Sequence, residues 1–362
     1  MNKMRKLVFI LVVFTTIISV LSSCQEKKTI DGNITVVHYT DFPEVVELKG
    51  EEFIVNDAMM QYPFRIRVVD DYLYVMDLHT ADDFMYIFNK NNMELVASFA
   101  PRGNGPNEVV QAKNFYSMSH DSIWLYDMAK RKITRWNFDT SDNSVKCVEN
   151  IELDESIMPP FDFTLYSDTS FIFTDDSGVN RYIEVNMHGK PVNAFGKIPL
   201  SEKARTDDPV LIAQGWASYL LYSPIHRKLI SATQLGDVLE IYDIDDSSSV
   251  VSYGKTADPK FAPQQEGYSI PIGLMGHGDI QITDKFIYTI FYGRAFRELF
   301  RTNGETSDGG KYLNVYDLNG NPLKQYILDH EITGIFVDDK ENVLWATDVN
   351  TEEQIIKYVI SN

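Results

Sequence analysis

The chain has 362 residues and a mass of 41.5 kDa, with 52 acidic against 33 basic side chains, a formal charge of −19 and a pI near 4.7. Hydrophobic residues make up 44% and aromatic residues 12%, enough to build a large core and to exclude disorder over most of the length. Binding a polyanion needs a basic face, so the acidic balance excludes nucleic acid as the expected partner.

The first element is an address. A basic start (Lys3, Arg5, Lys6) is followed by about fifteen mostly apolar residues from Leu7 to Leu21. Such a run fits a secretory signal and falls about five residues short of a membrane span. It ends in Leu21-Ser22-Ser23-Cys24, which resembles the lipobox of bacterial lipoproteins, whose Cys thiol takes a diacylglycerol. The resemblance implies a signal peptide over 1–23, a lipidated Cys24 with a polar tether over 24–33, and an outer membrane lipoprotein of a Gram-negative bacterium, facing the periplasm or the surface. Two acyl chains are enough for stable anchoring. Losing the leader removes three basic groups and no acidic one, taking the charge from −19 to −22. Gln25 stands where enteric lipoproteins carry an inner-membrane retention Asp, and only Glu26 precedes Lys27 and Lys28 where surface export would favour an acidic run. The other cysteine, Cys147, has no intramolecular partner and sits in the strand-like run 144–148, where a small buried hydrophobe is expected.

Beyond residue 34 the chain repeats. Leu73–Asp77, Ile123–Asp127, Phe171–Asp175 and Leu344–Asp348 are short apolar strands ending in Asp, and the first three Asp residues lie 50 and 48 positions apart. A second strand follows, ending in Asn or Asp at Asn89, Asn137, Asn186, Asp243 and Asp317. Hairpin signals come next, as in Met187–Lys190 and Leu318–Asn321, the latter an Asn-Gly turn that needs positive φ. No segment after the leader sustains a helical apolar period for long. Six units, starting near Phe64, Asn114, Phe161, Trp216, Ile270 and Glu331, predict an all-β, six-bladed β-propeller filling 34–362 as one domain. The sixth unit holds only about three strands, so an N-terminal strand is expected to close the ring, with Ile34–Tyr39 and Val45–Leu48 as the candidates.

Leu48–Glu51, the strand ending at Asp77 and the loop Ser98–Glu108 resemble the TolB-like six-bladed β-propeller lipoproteins of Bacteroides and its relatives. Within that loop Arg102 to Glu108 follows the family's Arg-Gly-x-Gly-Pro-x-Glu hallmark, with Asn107 where Gly is frequent. The resemblance implies fold and location and carries almost no chemistry.

Two stretches are candidates for binding. In the loop from Arg102 to Glu108, Arg102 would form an anion or carboxylate clamp at a channel mouth, or else the loop is a blade-to-blade crossover in which Arg102 pairs with Glu108 or a backbone carbonyl. Blade five is about twenty-five residues too long, since Asp243 to Asp317 spans 74 positions, and much of the excess falls between Tyr292 and Lys311. There Arg294, Arg297 and Arg301 interleave with Tyr292, Phe296 and Phe300. Phe296, Leu299 and Phe300 have helical spacing, so a short helix is expected to lay them on the blade and turn the arginines outward. Aromatic rings and arginines suit a glycan or a protein partner. His277, in a Gly-rich run without a Walker lysine, is a candidate for the central channel.

The seven histidines are scattered singly, no zinc motif or nucleophile elbow is present, and paired acids such as 175 and 176 are read as turn residues. Neither a metal nor a cofactor is therefore expected. The reading is a membrane-tethered binding or scaffold propeller for a protein or glycan. The alternative is an envelope lyase or hydrolase acting on polysaccharide or peptide at the central funnel through His277, Tyr292 and Arg102.

Overall fold

The computed structural model describes residues 26–30, 33–55, 60–200, 206–256, 258–264, 267–298 and 307–360. Six sheets form the body, each a meander of antiparallel strands. Blades one to three comprise Pro63–Pro101, Ala112–Glu152 and Phe163–Phe195, blade four Ser218–Tyr253, blade five His277–Ile332 and blade six Gly334–Val359. The first strand of every blade packs against the first strand of the next, blade six against blade one included, so the ring is closed around one axis. Blade five begins at His277 rather than near Ile270, because Ser269–Pro271 pairs with Phe261–Pro263 in a separate two-stranded ribbon on the crossover from blade four.

The acids and amides that mark the repeat are its turn and crossover chemistry. At the hairpin between the third and fourth strands, Asn89, Asp139, Asn186, Asp243 and Asp317 each accept the backbone N–H two residues on, at 2.8–3.0 Å. Gly189 and Gly320 supply the positive φ these turns need, at 73° and 74°. At the end of the second strand, Asp77 accepts from the N–H of Tyr62 and Asp127 from that of Val110, capping the incoming crossover. In blades three and six the same task passes one residue upstream, to Thr174 and Thr347. The carboxylate form of this cap, at Asp77 and Asp127, contributes about 1.5–3 kcal/mol per bond.

Ring closure departs from expectation in its strand. β1 (Glu26–Ile30) pairs with β2 (Ile34–His38), and β2 runs parallel to the last strand of blade four as an extra outer strand. β3 (Glu44–Leu48) does the same on blade five. Blade six is completed by β4 (Glu51–Phe53), antiparallel to Ile355–Val359. Neither candidate strand therefore closes the ring. The chain passes round the perimeter one strand per blade, and only after covering two outer edges does it reach the open one. The tether stretch also includes β1, so the sheet begins at Glu26. Cys24 lies outside the described residues, among which no helix is long and apolar enough to cross a membrane.

One short helix, α1 (Pro209–Gly215), lies on the crossover from blade three to blade four. Asp208 caps it by accepting the Val210 N–H at 3.0 Å, and Pro209 opens it. Cys147 is half-buried on the last strand of blade two, and burial pushes its thiol up. That is the chemistry of a packed thiol rather than a nucleophile.

Candidate functional site at the axial mouth

The six innermost strands start from one end of the ring, and there five blades bring aromatic and charged groups together. Blade one supplies Phe64 and Arg65, with Tyr62 just before them; blade two supplies Lys113; Phe161, Asp162 and Asp176 come from blade three, Tyr219 from blade four, and Tyr292 and Asp308 from the blade-five insertion. The Arg65 guanidinium lies 3.8 Å from the Phe64 ring centre and 4.6 Å from that of Tyr219. Tyr219 meets Phe161 edge to face at 5.3 Å, and the Lys113 ammonium sits 3.9 Å from the Phe161 centroid. On the far side the Tyr62 ring packs at a tilt against His79, with centroids 4.6 Å apart, and its hydroxyl donates to Asp308. Arg65, Tyr219 and Tyr292 form a buried floor, whereas Tyr62, Phe64, Lys113, Phe161 and Asp176 are partly open to solvent.

Electrostatics separate the floor from the rim. Arg65 donates to the carbonyls of Phe64 and Thr333, at 3.1 and 3.0 Å, and its Nε lies 3.5 Å from Asp279. Its Nε and Nη2 have no hydrogen-bond partner among the described residues. Arg67, one turn of the pleat further down, grips Asp279 with both Nη atoms at 3.0 and 3.2 Å. Lys113 makes no hydrogen bond or ion pair among the described residues; burial pulls its pKa down, and Asp162 opposes that only in part. Burial pushes Asp162 up to about 6, against hydrogen bonds from Asn114 and Leu220. It does the same to Asp176, against bonds from Thr174 and Phe161. Perturbed groups of both signs around one cleft are the usual signature of a working site.

Of the residues singled out in the sequence, Tyr292 joins this cluster. Arg294 does not face outward: it pairs with Glu331 at 3.2 Å and donates to the carbonyls of Ser307 and Gly309, pinning the base of the insertion. Phe296 packs against Leu235, Met275 and Tyr292, and the described part of the expected helix is one 3-10 turn, Phe296–Glu298. Arg297 is exposed beside a shallow cleft with Lys260 and Asp258, and Arg301 lies outside the described residues. In the loop of blade one, Arg102 donates to the Thr80 carbonyl at 2.9 Å and Glu108 accepts from the Gly105 N–H at 2.6 Å. Gly103 and Gly105 fold back so closely that a Cβ on Gly103 would meet the Glu108 carboxylate at 2.1 Å. Both charged ends are thus engaged inside the crossover, apart from the axial cluster. His277 is buried between blades four and five against Thr289 and Phe291, away from the channel.

Sequence reading missed Arg65, Lys113, Asp162, Asp176, Tyr219 and Asp308. A signal existed: Phe64-Arg65, Lys113-Asn114 and Phe161-Asp162 place charge at the start of three successive inner strands, where a buried strand wants none.

Residues 41–340 match the TolB-like 6-blade propeller-like family. The chain belongs to that family. None of the curated proteins matches this TolB-like chain. Among solved structures it is similar to a member of the DUF4221 family from Bacteroides vulgatus, at 14% identity and TM-score 0.62, covering 87% of this chain and 97% of that one. A Bacteroides fragilis protein assigned as exported aligns at 12% identity and TM-score 0.56, over 90% and 100% of the two chains. An auxiliary nutrient binding protein of Bacteroides ovatus aligns at 9% identity and TM-score 0.52, over 88% and 78%. At such identities the likeness is one of fold.

Proposed function

We propose that this TolB-like propeller is a lipid-anchored binding module of the outer membrane, held through Cys24, and that its axial mouth captures an acidic glycan or a similar carboxylate-bearing chain end. The observation that carries the proposal is Lys113: a half-open ammonium set against the Phe161 ring, with no carboxylate paired to it among the described residues. A ligand carboxylate would meet that charge while a sugar ring lay on Phe161, Phe64 or Tyr62. The nutrient-binding neighbour of the same fold is consistent with such a role. Calorimetry with oligogalacturonate and with a neutral oligosaccharide of equal length tests it. Preference for the acidic chain, lost at least tenfold in Lys113→Met, supports the reading; equal affinity, or an unaffected variant, refutes it. Membrane fractionation of Cys24→Ser tests the anchor, which predicts release of the variant into the soluble fraction.

One observation favours an envelope lyase or hydrolase as the second reading. Lys113 is pulled down and Asp162 and Asp176 are pushed up in the same cluster, which brings an amine and two carboxyls toward the range of general acid–base work. New chain ends appearing on incubation with the bound polymer would establish turnover, and an unchanged polymer would leave binding alone.

A further inference from the structure

A second cleft, of about 390 Å³, opens between blades four and five, away from the axial mouth. Its walls include four aromatic residues, Tyr39, Phe42, Phe291 and Tyr312, and it reaches the carboxylate of Asp237. Asp237 leads into the third strand of blade four and is 7% exposed. Among the described residues its carboxylate accepts one hydrogen bond, from the Tyr39 hydroxyl at 3.0 Å. That hydroxyl is 2.8 Å from the Tyr316 hydroxyl, to which Asn314 donates at 3.3 Å, and Gln325 donates to Asn314 at 2.8 Å. A chain of polar groups from blade five thus converges on one carboxylate without bringing a positive charge.

Lys255 lies exposed at the rim of the cleft and makes no ion pair with Asp237 among the described residues; the base buried beside the carboxylate is His277, whose Nε2 is 3.8 Å from Asp237 and hydrogen-bonded to nothing among the described residues. Burial lowers His277 to about 3, so it is neutral at any physiological pH. A buried carboxylate without a cation is costly, and the backbone crowds it further, since a Cβ on Gly254 would fall 1.8 Å from its Oδ2. An ammonium entering along the aromatic walls would supply the missing charge, with the ring faces adding cation–π attraction. A neutral sugar would leave the carboxylate as it is. Metal ligation has no support, since no group of three His, Cys, Asp or Glu side chains among the described residues is placed to hold an ion.

We infer that this cleft is a site for a small primary amine, with Asp237 as its counter-ion and Tyr39, Phe42, Phe291 and Tyr312 as its walls. The site is independent of the axial mouth. The segment between β2 and β3 supplies Tyr39 and Phe42, so the perimeter chain that does not close the ring instead walls a ligand cleft.

Calorimetry on the full chain with ethanolamine, cadaverine and glucosamine, against ethylene glycol, pentanediol and glucose, tests it. At least one amine should bind ten or more times tighter than its uncharged counterpart. Asp237 is pushed up to about 6 by burial, so the amine affinity should fall about tenfold between pH 7.5 and pH 5. Tyr39 and Tyr316 stay protonated there, His277 stays neutral, and Lys255 and Asp41 are the charged groups at the rim. Asp237→Asn should remove both the preference and the pH dependence. Tyr312→Ala, which alters a wall without touching the hydrogen-bonded chain, should weaken binding at least threefold and serves if the first variant misfolds. Binding of no amine, equal binding of the uncharged partners, or variants that bind as the parent does would overturn the assignment.

Discussion

Two carboxylates in the inner ring, Asp279 and Asp162, do the same structural work in opposite electrostatic settings. Each accepts the N–H of its own next residue, Ile280 or Phe163, at 2.9 Å. Each also reaches across to the neighbouring inner strand, Asp279 to the Ile335 N–H at 3.0 Å and Asp162 to the Leu220 N–H at 2.8 Å. Asp279 is then gripped by Arg67 and approached by Arg65, tying blades one, five and six together. Asp162 has instead the neutral amide of Asn114, at 2.6 Å, and burial pushes it up to about 6. The same stitch is thus an ion-paired carboxylate at one point of the ring and, at another, a carboxyl without a cation bonded to it whose pKa burial raises to about 6. The latter lies beside Lys113 and the axial mouth, which is where a ligand has something to act on.

Breaking the clamped member has the largest expected effect. Asp279→Ala leaves two buried guanidinium groups without their counter-ion and should lower the unfolding free energy by about 3–5 kcal/mol in a urea titration. A loss below 1 kcal/mol would show that Arg65 and Arg67 find other partners and that the clamp does not hold the ring.

Asp162→Asn tests the other member through pH. Because the folded pKa is raised, the native state binds more protons than the unfolded chain between about pH 4 and pH 6. Stability from this group therefore falls as pH rises through that window and is level above it, a change of about 3 kcal/mol for two pKa units. Subtracting variant from parent melting curves at pH 4, 5, 6 and 7 isolates the contribution. A difference that does not move with pH would mean that Asp162 is ionised throughout, like a paired carboxylate. Asn114→Ala should act in the opposite direction, deepening the fall that Asp162→Asn abolishes. It removes the best donor to the charged form, costing about 1–3 kcal/mol at pH 7 and less at pH 4, where the carboxyl is protonated.

What the sequence shows and hides follows from how far apart the cooperating residues lie. The propeller is legible because blades one to five repeat their turn chemistry locally: Asn89, Asp139, Asn186, Asp243 and Asp317 each accept an N–H two residues on, although in blade two the turn residue is Asp139 where the sequence pattern marks Asn137. The need for an N-terminal closing strand is legible from the three-stranded sixth unit. Its identity is not, because Ile34–His38, Glu44–Leu48 and Glu51–Phe53 all read as strands and only the order of edges round the perimeter assigns them. The axial cluster is hidden for a similar reason. Arg65 and Asp279 are 214 positions apart, and Asp176 is indistinguishable from a turn aspartate until blade three places it against the Phe161 N–H. Arg294 errs the other way. Its spacing with Arg297 and Arg301 reads as an exposed face, whereas the carbonyls of Ser307 and Gly309 draw it inward.

The smallest expected effect sharpens the comparison most. Lys113→Met keeps the length of the side chain and its packing on Phe161 but removes the charge that faces Asp162. If the ammonium belongs to a ligand rather than to the fold, stability should change by less than about 1 kcal/mol, as for a weakly engaged charge. The titration of Asp162, followed by its carboxyl carbon shift in NMR, should move upward by a fraction of a unit. A loss of stability as large as that of Asp279→Ala would instead make Lys113 a second clamp, and the two carboxylates would no longer differ in kind.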